Sequence, residues 1–160
     1  KGFDMIGWRI GWVCGAERIV RALADVKDNS DSWQFGAIQN AAAFALDDDS
    51  IPVRTRTKYE RRLKKLVATL SRCGFDCKMP GGTYFLYTKA PKGLAGGVKF
   101  ENAEAASQYL ITQQSMVTVP WDDAGPFLRF SVTYEADNEA GEDALMTTAE
   151  ERLRQSELVF

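Results

Sequence analysis

Apolar and polar positions along this chain follow two periods, and the switch between them organises it. In residues 5–14 (MIGWRIGWVC), Trp8, Ile10 and Trp12 share one face of an extended segment, with Gly7, Arg9, Gly11 and Val13 on the other, which predicts a strand. Gly15 then opens a helical repeat to about Val26, with Ile19, Val20, Leu23 and Val26 as its apolar stripe. Lys27 to Ser32 (KDNSDS) reads as a polar turn. A second helix is expected from about Trp33 to Leu46, where Ala41, Ala42 and Ala43 permit close packing, until Asp47, Asp48, Asp49 and Ser50 break it. Pro52 suits the first turn of a long helix reaching about Cys73, with Tyr59, Leu63, Leu66, Val67 and Leu70 on its buried side and Gly74 as its stop.

Period two then returns. Thr83 to Lys89 predicts a strand after the Gly81-Gly82 turn, and Pro91 to Gly97 a loop. Ala103 to Gln113 predicts an amphipathic helix capped by Asn102. Met116 to Pro120 and Phe127 to Tyr134 are expected as short strands around a turn at residues 121–126, and Glu139 to Gln155 as a closing helix. The expected fold class is α/β: a strand and its helix, a helical connector, then a small α/β unit with mostly antiparallel strands. The leading strand carries apolar or glycine residues on both faces, which suits the interior of a larger sheet.

Two arginines stand out against this pattern. Arg129 faces away from Leu128, Phe130 and Val132, which are expected in the core. A guanidinium in such a strand meets an anion or stays in water, because burying it unpaired is costly. Its planar fork fits a carboxylate or phosphate at two points, and the pattern fits an internal salt bridge as well. Arg9 lies between Gly7 and Gly11 on its own face, which leaves room for a ligand near the backbone or for close sheet packing.

Composition narrows the chemistry. The chain has 160 residues, enough for one core, with 45% hydrophobic and 26% charged residues, an ordinary globular balance. A formal net charge of −2 argues against a nucleic-acid or anionic-membrane partner. The basic run Arg54, Arg56, Lys58, Arg61, Arg62, Lys64 and Lys65 is therefore expected to be a solvated helix face. Residues 93–97 (GLAGG) do not carry a strand into a helix, so no dinucleotide-binding turn is expected there. No apolar run approaches the roughly 18–20 residues of a membrane span, and no secretory signal is visible. Cys14, Cys73 and Cys77 fit reduced thiols in a cytoplasmic protein. The chain has no histidine, so acid–base chemistry must use lysine, carboxylates, tyrosine or a cofactor.

Residues 1–11 (KGFDMIGWRIG) are similar to the cofactor-lysine signature of the class I/II aminotransferases of fold type I, with Lys1, then Arg9, then Gly11 in its pattern. Residues 125–136 (GPFLRFSVTYEA) place Arg129 where that family has a strand arginine. The resemblance covers essentially the whole chain. It implies the C-terminal part of a fold type I transferase dependent on pyridoxal 5'-phosphate (PLP). Residues 1–32 would end the large cofactor domain, 33–73 form a helical connector, and 74–160 a small C-terminal α/β domain. It further implies that Lys1 holds PLP covalently and moves the proton between substrate Cα and the cofactor. Arg9 would bind the cofactor phosphate, and Arg129 the substrate α-carboxylate. The substrates implied are an amino acid and a 2-oxo acid, in a homodimer with shared active sites.

Within that family, KDNSDS (27–32), FLYTKAPKG (85–93), VPWDDAG (119–125) and ELVF (157–160) resemble the branch that acts on LL-diaminopimelate. There Asn29 and Ser32 would reach the distal end of a substrate in the partner subunit; an ordinary polar turn fits them equally. Trp33 stands where a glycine or other small residue is expected; its indole could narrow the pocket or pack between subunits, which puts substrate choice in question. Asp4 also departs from the small residue usual at its place in the general signature. The family's other cofactor contacts precede the lysine, so a chain starting at Lys1 is expected to be incomplete as an enzyme. A non-catalytic module of the same fold, or a PLP lyase or decarboxylase, remains an alternative.

Overall fold

Helices follow the 3.6-residue periods closely in the computed structural model, which describes residues 2–160. The chain divides into two units, one ending at Thr57 and one running from Lys58 to Phe160.

The first unit is helical. Helix α1 spans Glu17–Ser30 and α2 spans Gly36–Leu46, and α3 (Ser50–Arg72) begins here. Helix α1 overruns its expected end and takes in four of the six residues of the polar KDNSDS segment, 27–30. The Lys27 Nζ donates to Asp31 at 2.7 Å, while Asn29 Nδ2 and Ser30 Oγ donate to the carbonyls of Asp25 and Val26. These polar side chains therefore serve the last turn of the helix. Helix α2 starts later than Trp33 because Phe35 keeps an extended ψ of 121°.

The strand expected over residues 5–14 does not form. Ile6–Trp8 make a 3-10 turn, and Asp4 and Arg9 adopt positive φ of 58° and 54°, outside the extended region. The physical reason is pairing. A strand suited to a sheet interior needs neighbours for its amide groups, and the described residues of this unit contain no other strand. The apolar stripe of α1 is likewise exposed at Ile19, Val20, Leu23 and Val26.

The second unit is built on a sheet. Strands β1 (Phe85–Lys89), β3 (Val119–Trp121) and β4 (Phe127–Ser131) pair antiparallel in the order β1-β4-β3. One face of β4 buries Leu128 and Phe130, and Val132 continues it, as the alternation predicts. These pack with Leu63, Leu66 and Leu70 of α3, Leu86 of β1, Leu110 of α4 (Ala103–Gln114) and Leu153 of α5 (Glu139–Gln155). Asn102 caps α4 by accepting from Ala105 N at 2.8 Å, and Asn138 caps α5 at Gly141 N. Helix α3 stops at Gly74, whose φ of 91° lets Phe75 N bond back to the Leu70 carbonyl.

Two expectations change in this unit. The loop at 91–97 contains a two-residue strand, β2 (Gly93–Leu94), paired antiparallel with β5 (Leu158–Val159). Gly93 is needed there: a Cβ would lie 2.1 Å from the Val98 carbonyl oxygen. The basic face of α3 is also not wholly solvated. Arg62 is 4% exposed and Glu142 only 1%. Glu142 accepts from Arg62 Nε at 2.7 Å, from Arg61 at 2.9 and 3.0 Å, and lies 3.3 Å from Lys65 Nζ. Arg62 also donates to the carbonyls of Tyr134 and Val132, so no donor fork faces apolar side chains alone. These contacts, led by the Arg61 hydrogen bond, hold the Glu142 carboxyl at about 2.

Candidate active site

Strand register places Arg129 in the middle of the sheet face opposite the core. Tyr87 of β1 and Val119 of β3 are its direct cross-strand partners. Side chains alternate along a strand, so Phe85, Tyr87, Val119, Trp121, Phe127 and Arg129 all belong to this one face. An outward sheet face is ordinarily polar; here Lys89 and Ser131 share the face, but the positions next to Arg129 are mostly aromatic. Tyr87 and Trp121 stay more than 40% exposed, and Arg129 is half-buried.

The guanidinium lies over aromatic rings. Its central carbon lies 4.3 Å from the Phe85 ring centre and 6.0 Å from that of Trp121. Those two rings are the diagonal neighbours of Arg129, one on each flanking strand. Tyr87 meets Trp121 edge-on, with ring centres 6.0 Å apart. Among the described residues Arg129 makes no salt bridge, and its side chain donates no hydrogen bond. The internal salt bridge left open by the sequence is therefore absent from this unit, and the in-plane donors of the fork are available to an outside anion.

The surrounding turn is tied down. Asp122, next to Trp121, accepts from Ala103 N at 2.8 Å and Glu104 N at 3.2 Å, at the positive end of α4. On the other flank Tyr84 backs Phe85 at 4.4 Å, and the Phe85 amide donates to Thr83 Oγ1 at 3.3 Å. Thr83 holds a φ of 73°, a strained conformation for a β-branched residue.

The remaining candidates belong to the first unit. Lys1 lies outside the described residues. Arg9 follows the 3-10 turn, its amide bonded to the Ile6 carbonyl, and its side chain is exposed and unpaired among the described residues. A Cβ at Gly7 or at Gly11 would meet nothing within 4 Å, so both sides of Arg9 are open. Asn29 sits in the last turn of α1 and spends one amide proton on Asp25; Ser32 is exposed beyond the helix. No hydrogen bond or ion pair joins Arg9, Asn29 and Ser32 among the described residues.

Sequence reasoning missed the aromatic seat of Arg129. Its signal lay in residue parity: Phe85 and Tyr87 on one strand, Trp121 on the next, each in phase with Arg129 once the register is known. Among the described residues no cluster of His, Cys, Asp and Glu is arranged for a metal. No helix among them is long and apolar enough to cross a membrane.

The comparisons with known proteins agree with this architecture. The family profile "Aminotransferase class I and II" matches residues 1–145. The chain is 48% identical over its whole length to an LL-diaminopimelate aminotransferase of Methanococcus maripaludis, and 45% identical to one of Methanocaldococcus jannaschii. It spans 40% of the length of each. The solved aspartate aminotransferase of Rhizobium meliloti superposes on 99% of this chain with a TM-score of 0.78 at 26% identity, again over 40% of that protein. An α/β unit with an antiparallel sheet, a strand arginine in the predicted place and a matching family profile lead to one assignment: the chain belongs to the class I and II aminotransferases.

Proposed function

We propose that this chain is the C-terminal part of a PLP-dependent aminotransferase that exchanges an amino group between LL-diaminopimelate and 2-oxoglutarate, a step of lysine biosynthesis. The observation that carries the reading is the 48% identity, across the entire chain, to a relative named for that activity. The unpaired donors of Arg129 supply the matching chemistry. Residues 1–32 then belong to the large domain, 33–73 to the connector and 74–160 to the small domain. The exposed apolar stripe of α1 suits burial in a larger domain. The whole enzyme is read as a cytoplasmic homodimer, with Asn29 and Ser32 reaching the distal end of a substrate in the partner.

The residues present fit the cofactor. Arg9, a free guanidinium flanked by open glycine backbone, suits a phosphate dianion. Lys1, eight positions earlier (9 − 1), supplies the amine for its aldehyde. When bound, PLP supplies the electron sink for the carbanion formed at substrate Cα. Arg129 binds the α-carboxylate at two points and so fixes the orientation of the Cα–H bond. Once the substrate amine has taken its place at the cofactor, the freed and neutral Lys1 ε-amine would take the proton from Cα, which requires surroundings that disfavour its charge.

The test uses the full-length protein containing this chain. Borohydride reduction followed by peptide mapping is expected to find a pyridoxyl group on Lys1, and LL-diaminopimelate with 2-oxoglutarate is expected to yield glutamate. An unmodified Lys1 in folded, PLP-supplied protein would overturn the mechanism. A modified Lys1 without turnover of LL-diaminopimelate would overturn only the substrate.

A further inference from the structure

We propose that Phe85 and Trp121 are positioning residues. They fix the plane of the Arg129 guanidinium so that its in-plane donors stand ready for the α-carboxylate. The inference rests on the carboxylate role of Arg129 given above.

The argument begins with the geometry of a guanidinium. Its charge is shared over a flat group whose faces are poorly hydrated and whose edge carries the N–H donors. A ring stacked on a face attracts the cation without consuming a donor. Phe85, 4.3 Å from the guanidinium carbon, is placed to do this, with Trp121 at 6.0 Å from the opposite flanking strand. Without such a seat, a long flexible side chain on an outward sheet face must be ordered by each incoming substrate, and ordering costs binding energy.

The seat is itself anchored. Tyr84 backs the Phe85 ring, and Tyr59 backs Tyr84 at 5.5 Å. Trp121 in turn meets Tyr87 at a near-perpendicular angle. Its neighbour Asp122 is fixed to the first two amides of α4. An anion-binding arginine placed this way is preorganised by aromatic stacking where another site would spend a carboxylate. A carboxylate partner would compete for the donors that the substrate needs.

The test compares two substrates of the full-length, PLP-loaded protein that differ only in the α-carboxylate: glutamate and 4-aminobutanoate. Their half-reaction kcat/KM values are measured, with the Kd of glutarate by calorimetry as a readout independent of turnover. Phe85→Leu is expected to lower kcat/KM for glutamate about tenfold and to weaken glutarate binding by a similar factor, the size of a lost cation–π contact. The rate with 4-aminobutanoate should hold. Trp121→Leu should act the same way but less, being farther away, and Phe85→Tyr should restore the preference for glutamate. Arg129→Gln serves as the reference. If it abolishes that preference while Phe85→Leu leaves it intact, the positioning role is overturned and the carboxylate role of Arg129 stands. If Phe85→Leu slows both substrates equally, the ring is merely structural and the proposal fails. If Arg129→Gln leaves the preference unchanged, the carboxylate role fails and the positioning role with it.

Discussion

Replacing Glu142 by glutamine keeps its shape and removes its charge, in a place where water cannot compensate. The Glu142 side chain is 1% exposed and faces Arg61, Arg62 and Lys65. Arg62, itself 4% exposed, depends on this carboxylate for its Nε bond at 2.7 Å. Removing one partner of a buried ion pair typically costs about 3–5 kcal/mol, because the remaining charge stays desolvated. The lower end applies here. Arg62 keeps its bonds to the Tyr134 and Val132 carbonyls, and Arg61 can turn toward solvent. With a urea slope of about 1.5–2 kcal/mol/M for a unit of this size, a loss of about 3 kcal/mol lowers the midpoint by about 1.5–2 M. The transition is followed by near-UV circular dichroism, with Glu17→Gln as the control, since its pair with Arg21 is 78% exposed on both sides. A shift in Glu142→Gln no larger than the control would mean that the cluster is wet, and would refute the burial argument.

Acid should act on the same group. The carboxyls of Glu142 and Glu150 are both held at about 2, against an ordinary value of 4.5, by the Arg61 and Arg72 hydrogen bonds respectively. A lowered folded-state value means that their stabilisation is present above about pH 4.5 and drains as pH falls toward 2, so an acid titration of stability should steepen in that window and flatten in Glu142→Gln. Gly93→Ala drives a methyl into the Val98 carbonyl oxygen, and should cost about 1–3 kcal/mol while speeding amide exchange at Lys92 and Ala95, whose bonds hold the β2–β5 pair. Asn102→Ala should cost about 1 kcal/mol of stability by urea titration, with faster exchange at Ala105 than at Ala103, because Asp122 still holds the latter.

What the sequence determined by itself was governed by neighbours along the chain. The period of Leu63, Leu66 and Leu70 placed α3, the glycine at 74 ended it, and Asn102 marked the start of α4. The alternation around Arg129 fixed which side chains of β4 turn inward. The resemblance of the motifs around Lys1, Arg9 and Arg129 pointed to the family. Local signals misled where polar side chains could bond back to their own helix, as Asn29 and Ser30 do, and where a strand-like pattern lacked a partner, as in residues 5–14.

Only the tertiary structure decided which distant residues meet. Arg62 occupies the same stripe as Tyr59 and Leu66, three and four residues away, a sign that it would be buried. Nothing local said that Glu142, 80 residues on, would meet it. Likewise the ring that seats Arg129 was fixed by strand register. Register depends on the antiparallel pairing of three strands, and a slip of one residue would turn every side chain of a strand to its other face. Chain-local forces select helices, caps and turns; the partners of a charged group are set by long-range packing, where burial makes an unpaired charge too costly to keep.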